Sequence, residues 1–288
     1  MNFNLLGKTG LKASEIGIGT EFLFNQSKKG VKSVIHKAIE NNINYFDVLF
    51  SVQHYLIKLA DAFKGYRDQI IITGHIGTSE IEGKAKRNRS IKVSKNAFLK
   101  MLSLLEVNYV DFINIQYVTA REYEKVMNPG GLFDLATYFK EDAKARFLSL
   151  STHDTFVARQ AVESGSFDMI MFPINMANHG LEGRDDLLKL CSKNHIGLVA
   201  IKPFAAGKLL NRNKTTYFAK HQTAGLTFKK KIPSEINPSH CINYVKSIPE
   251  VEVILMGVKN NHELIQNLNY LKMKKNEMDF SLYLKSFQ

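Results

Sequence analysis

Eight short apolar runs, separated by stretches of helical periodicity, restrict the fold of this sequence more than any other feature. They are SEIGIGT (14–20), INYFDV (43–48), QIIITGH (69–75), YVDFINIQ (109–116), RFLSLS (146–151), DMIMFPIN (168–175), GLVAIKP (197–203) and VEVILMG (251–257). Each is rich in Ile, Val, Leu or Phe, the pattern of strands covered on both faces. Between them lie amphipathic segments. In SIKVSKNAFLKMLSLLE (90–106), Val93, Phe98, Met101, Leu102 and Leu105 mark one helical face. TFVARQAVESG (155–165), DDLLKLCSKNHIG (185–197) and HELIQNLNYLKM (262–273) read the same way, with Asp154 and Asn261 as N-caps. The alternation runs from end to end without a compositional break. It predicts an α/β chain forming one (β/α)8 TIM barrel over 1–288. An open doubly wound sheet would need a G-x-G-x-x-G turn after its first strand. EIGIGTEF has Gly17 and Gly19 but no third glycine in place.

Ahead of the first strand, NLLGKTGLKASEI (4–16) has two apolar runs around a Gly-Lys-Thr-Gly turn, predicting an N-terminal β-hairpin that plugs one barrel mouth. Between 208 and 236 the periodicity fails, and a long polar, basic loop or insertion above the active face is expected. Apolar residues make up 44% of the chain, enough for a large core. No apolar run is long enough for a spanning helix, and the opening MNFNLLGKTG lacks the blocks of an export signal, so a cytoplasmic protein with no membrane partner is expected. Cys191 and Cys241 have neither metal nor disulfide-framework spacing. The net charge of +12 is partly clustered at 84–95, 229–231 and 272–275. These clusters lack interleaved aromatics, so they suit a solvated face or an anionic small molecule better than nucleic acid.

Several segments, in order, resemble the aldo-keto reductases. LGKTGLKASEIGIGT resembles the family's opening hairpin and first strand, and NNINYFDV its second strand. SLLEVNYVDFINIQ, SLSTHD, IKPFAAGKLL and ILMGVKNNHELIQNL resemble later motifs, the last a cofactor clamp. The resemblance implies a barrel that binds NAD(P)H across its C-terminal mouth and passes hydride to an aldehyde or ketone. It also implies a four-residue pocket of Tyr, Lys, Asp and His. The Lys and Asp make the phenol a better acid, because a phenol titrating near ~10 is otherwise too weak at neutral pH.

Asp47 stands at the family's Asp position. Val52 stands at the Tyr position, His75 at the Lys position and Gln116 at the His position. Tyr55, or less favourably His54, is a candidate replacement for the missing phenol. On the cofactor side the resemblance assigns Gly19, Thr20, Ser151, Thr152, Pro203, Gly207, Gly257 and Asn267 to the dinucleotide or the loops around it. Small residues and open amides suit a pyrophosphate. Met171 replaces the Gln that holds the carboxamide, and Ile174 replaces the Tyr that stacks on the nicotinamide. Glu263 stands where an Arg would meet a 2′-phosphate, with Lys259 as partial compensation.

Asp47 and His75 end neighbouring strands, so they can pair at the mouth. A carboxylate beside an imidazole fixes its tautomer, and such an imidazole can move a proton near neutral pH. His153 is a second imidazole for the same mouth. Three readings follow. The first is a divergent NAD(P)-linked oxidoreductase acting on a small carbonyl or alcohol, for which the basic clusters would suit an anionic substrate, with His75 as proton donor. The second is a non-redox lyase, dehydratase or isomerase using Asp47 and His75. The third is an inactive dinucleotide-binding or regulatory homologue. No metal site and no oligomeric state are assigned.

Overall fold

The computed structural model describes residues 1–212, 214–219, 227–273, 279–285 and 287. Strands β1 (Phe3–Leu5) and β2 (Lys12–Ser14) form an antiparallel hairpin. The barrel begins with β3 (Ile16–Gly19), β4 (Tyr45–Val48) and β5 (Ile71–Ile76). A second hairpin, β6 (Thr78–Ile81) and β7 (Lys84–Arg87), follows β5 outside the barrel. The barrel continues through β8 (Val110–Ile115), β9 (Ala145–Ser151), β10 (Met169–Pro173) and β11 (Gly197–Ile201). After a third hairpin, β12 (Thr215–Ala219) and β13 (Thr227–Lys231), strand β14 (Val253–Gly257) completes it. All eight barrel strands pair parallel, and β14 closes onto β3 with Gly257 opposite Gly19. This is the (β/α)8 barrel expected from the alternation, with each strand on its expected run, β5 ending one residue later and β9 starting one residue earlier than the run.

The helices form for local reasons. Ser27 caps Lys28–Glu40 by accepting from Gly30 N–H, and Val31, Val34, Ile35 and Ala38 recur at helical spacing as its buried face. Ser90 caps Ile91–Leu105, which ends at Glu106 in the left-handed region. Asp154 caps Thr155–Glu163 as expected, accepting from Phe156 and Val157 N–H. The cap expected at Asn261 is one residue earlier. Asn260 accepts from Glu263 N–H, and Asn261 is the first residue of the helix ending at Leu268.

Two apolar layers result. Between sheet and helices lie residues such as Ile18, Phe46, Ile72 and Ile113. Inside the barrel, Tyr45, Ile71, Phe112, Met169, Met171, Val199, Val253 and Leu255 pack together. Leu6 and Ala13 join that inner cluster, so the N-terminal hairpin does plug the floor. Burying a leucine such as Leu6 contributes roughly 1.5–3 kcal/mol. Glu252 fastens the plug: its carboxylate accepts from Gly7 N–H at 3.1 Å and Leu198 N–H at 3.1 Å.

The segment 208–236, expected to be a long loop or insertion, carries secondary structure of its own. It holds a short 3-10 helix, Lys208–Leu210, and the β12–β13 hairpin. Residues 213 and 220–226 of it lie outside the described residues. Its strands are short and one is mostly lysine, so their pairing left little apolar alternation to read. Among the described residues no helix is long and apolar enough to cross a membrane.

Candidate active site

Side chains alternate along a strand, so one parity faces the lumen. Tyr45 and Asp47 share that parity on β4, as do Ile71, Thr73 and His75 on β5 and Phe112 and Asn114 on β8. The lower members make the packed layer. The upper members carry polar groups at the C-terminal ends of the strands, where a barrel leaves its lumen open. A cavity of about 800 Å³ opens there, with Asp47, His75 and Ser151 in its wall.

Asp47 and His75 are both nearly fully buried and are joined at 2.6 Å, Oδ1 to Nε2. Asn114 Nδ2 donates to His75 Nδ1 at 3.0 Å and to Ser151 Oγ at 3.0 Å. With Nδ1 accepting, the ring proton lies on Nε2 and points at Asp47. Both imidazole nitrogens are therefore engaged. The second carboxylate oxygen, Oδ2 of Asp47, has no partner among the described residues, and Asp47 lines the cavity. The pair meets the cavity through its carboxylate.

The remaining sequence candidates divide clearly. Gly19, Gln116, Ser151, Pro203, Gly207, Gly257, Lys259 and Asn267 all line the same cavity as Asp47 and His75. Tyr55, Thr20 and Thr152 do not line it, and all three are fully buried. Val52 is the N-cap of the helix Gln53–Phe63, which turns Tyr55 inward beside Leu56 and Leu59. The Tyr55 hydroxyl is bonded to Thr20 Oγ1, and burial pushes its ionisation far above the usual phenol range. Tyr55 is thus a core residue and no replacement phenol. Thr20 Oγ1 donates to the Asp47 carbonyl at 2.7 Å and steadies the strand end. Thr152 Oγ1 donates to the Val118 carbonyl at 2.7 Å. His54 lies outside the cavity, its ring edge-on to Phe24 at 4.6 Å.

Several groups in or behind the wall are not among the sequence candidates. Asn114 is one; its parity with Phe112 on an inward-facing strand was the available signal. Glu21, Arg87, Tyr117 and Lys202 also line the cavity; Arg87 closes β7, and the other three lie beyond the ends of barrel strands. Burial pushes the Glu21 carboxyl up, and the nearby Asp47 adds to this. Burial pulls the Lys202 ammonium down, with Glu21 opposing. His153, expected at this mouth, is there. Burial pulls its imidazole down to about 3, with Lys202 adding to the shift, so it is neutral at physiological pH.

The sequence matches the model of the aldo/keto reductase family over residues 15–285. The chain belongs to that family. No curated protein matches it significantly. Among solved structures, the aldo-keto reductase AKR11C1 from Bacillus halodurans, in its holo form, is similar with a TM-score of 0.77 at 16% identity, covering 99% of this chain and 96% of that one. PA4992 of Pseudomonas aeruginosa, assigned to the aldo-keto reductases, gives a TM-score of 0.71 at 16% identity, with 93% of each chain covered. At such identity these structures show a shared fold. Family membership implies an NAD(P)-dependent oxidoreductase.

The residues of this aldo-keto reductase fit such a nucleotide at both ends. Lys202 and Lys259 line the cavity, as does the face of Asn261–Leu268 bearing Glu263, Gln266 and Asn267. A cationic wall beside a helix start suits phosphates. Glu263 Oε2 accepts from Lys259 N–H at 2.8 Å, which holds its carboxyl group at this edge. At the other end, Gln116 Oε1 is buried with no partner among the described residues. Ser151 Oγ accepts from Asn114 and from Tyr117 N–H, leaving its own proton free to donate. An unmet acceptor and a free hydroxyl donor are what a carboxamide needs, although Met171 occupies the position of the family's Gln.

Proposed function

We propose that the protein is an NAD(P)-linked oxidoreductase acting on a small carbonyl or alcohol, with the Asp47–His75 pair in place of the family's tyrosine. The observation that carries this reading is that the buried pair lines the same cavity as Gly19, Ser151, Pro203, Gly207, Gly257, Lys259 and Asn267. A bound nicotinamide nucleotide supplies or accepts the hydride. In alcohol oxidation, Asp47 Oδ2 accepts the hydroxyl proton. In carbonyl reduction, the same oxygen returns a proton to the carbonyl oxygen. His75 Nε2–H donates to Oδ1 throughout and stabilises the carboxylate. The imidazole acts through Asp47, since neither of its nitrogens is free to meet the substrate directly. Asn114 and Ser151 hold the ring in the tautomer this needs.

The test is titration of the protein with NADH and NADPH, followed by nucleotide fluorescence and melting temperature. Micromolar binding, then turnover in a screen of carbonyls and alcohols, is expected. Absence of binding at millimolar nucleotide would remove the redox reading and leave Asp47 and His75 as a cofactor-free acid–base pair. Binding without turnover would favour an inactive nucleotide-binding homologue.

A further inference from the structure

The cavity has a second basic region, on the side of β5 and β8. Arg87 ends the β6–β7 hairpin and lines the cavity. Its cross-strand partner is Thr78, also in the cavity wall and only three residues beyond His75. The hairpin therefore brings a guanidinium and a hydroxyl to the rim beside the Asp47–His75 pair.

The two arginines of this hairpin region are used differently. Arg89 spends its donors on structure, bonding Glu122 through Nε at 3.1 Å and the Tyr117 carbonyl through Nη2 at 3.0 Å. Its Nη1 contacts the Gly77 carbonyl at 3.4 Å. Arg87 uses only Nη2, toward the Tyr117 carbonyl at 2.7 Å and toward Glu122. Its Nε and Nη1 have no partner among the described residues. Both guanidiniums share the one Glu122 carboxylate, so one positive charge is left over. Arg87 also lies over the Tyr117 ring at 5.2 Å, and that ring packs edge-on to His153 at 4.7 Å. These contacts limit where the guanidinium can go. Thr78 Oγ1 is buried with no partner among the described residues. A buried hydroxyl left unpaired costs free energy, so an acceptor brought by a ligand is favoured there.

We propose that Arg87 and Thr78 form a clamp for a carboxylate carried by the substrate, which makes the substrates oxo acids or hydroxy acids rather than neutral aldehydes. This rests on the redox reading only for the word substrate; the clamp is a binding site in its own right. Free Nη1 hydrogens on a guanidinium with one spare positive charge, beside a hydroxyl donor, match a carboxylate better than a doubly charged group. Charge placement agrees. Glu21 and Asp47 line the cavity at the ends of β3 and β4 and repel a second anion from that side, whereas Arg87 attracts one.

The experiment is a calorimetric titration with pentanoate and with its uncharged isostere pentanamide at neutral pH and low salt. It uses the wild-type protein, Arg87→Met and Arg87→Lys, with melting curves as a check on folding. Pentanoate is expected to bind at least about tenfold more tightly than pentanamide to the wild type, as charge-assisted hydrogen bonds imply. The preference should vanish in Arg87→Met and survive in part in Arg87→Lys. A wild type that does not distinguish the two, including one that binds neither, overturns the clamp. So does a preference that persists in Arg87→Met. NADH titrated into the same samples separates the two ideas. If nucleotide fails to bind while the pentanoate preference holds, the redox reading falls and the clamp stands.

Discussion

The two ends of this barrel handle buried polar groups in opposite ways. At the floor, Glu252 is held by the amides of Gly7 and Leu198, and the hairpin presses Leu6 into the lumen. At the mouth, Asp47 has one oxygen satisfied and one open to the cavity, while Gln116 Oε1 and Thr78 Oγ1 have no partner among the described residues. One end uses its hydrogen-bonding capacity internally; the other holds some in reserve. A barrel that is closed below and unsatisfied above confines ligand chemistry to one face.

The largest effect that sharpens this contrast is on turnover. Asp47→Asn removes the proton acceptor and should lower kcat by about 10²–10⁴-fold, the range of general acid–base catalysis. His75→Ala should do nearly as much while leaving nucleotide affinity within about twofold, because it acts through Asp47. Unchanged kcat in His75→Ala would refute the paired mechanism. The floor should answer in stability instead. Gly7 has φ +52°, and a Cβ there would run into the Gly197 backbone. Gly7→Ala should cost about 2–4 kcal/mol in urea unfolding with little change in the KM of whatever is folded.

Glu252 adds a pH dependence. Burial pushes its carboxyl up to about 7, above its unfolded value, with the two amide hydrogen bonds opposing. Its contribution is therefore fully present below pH ~4.5 and is lost as pH rises through about 7. Stability of wild type relative to Glu252→Gln should fall across that window by about 1–2 kcal/mol after solvent screening. A flat difference would show that the amides hold the ionised form. At the mouth, Glu263→Gln removes a negative charge from the nucleotide edge and should raise NADPH affinity over NADH by about threefold to tenfold in fluorescence titration. Tyr55→Phe should leave kcat unchanged and cost about 1 kcal/mol for its buried hydrogen bond.

The eight strands were legible because runs such as QIIITGH and VEVILMG stand out against their polar flanks. The β6–β7 hairpin was not, because KAKR reads as a solvated basic run and Glu82–Gly83 as an ordinary turn. Asp47 and His75 were legible as polar residues closing apolar strands. Asn114 was hidden one place earlier in an apolar run, and only counting lumen parity from Phe112 exposes it. Tyr55 misled because a residue three beyond Val52 sits near the mouth in sequence, while helix phase turns it into the core. Arg87 depends on that hairpin's register and Lys202 on a loop path, and neither carries a periodicity to read.

Asn114 has one more consequence. Its Oδ1 accepts from Ser149 Oγ at 3.1 Å, while the same serine hydroxyl also reaches the Ile113 carbonyl at 3.3 Å. Were the amide to turn over, Oδ1 would face His75 Nδ1, and a ring proton on Nδ1 would then be the hydrogen-bonded arrangement. The Ser149 hydroxyl could then settle on Ile113 and the Ser151 hydroxyl on Asn114, with no backbone atom displaced. The placing of the ring proton is thus tied to the orientation of three side chains, and one backbone accommodates both hydrogen-bond patterns.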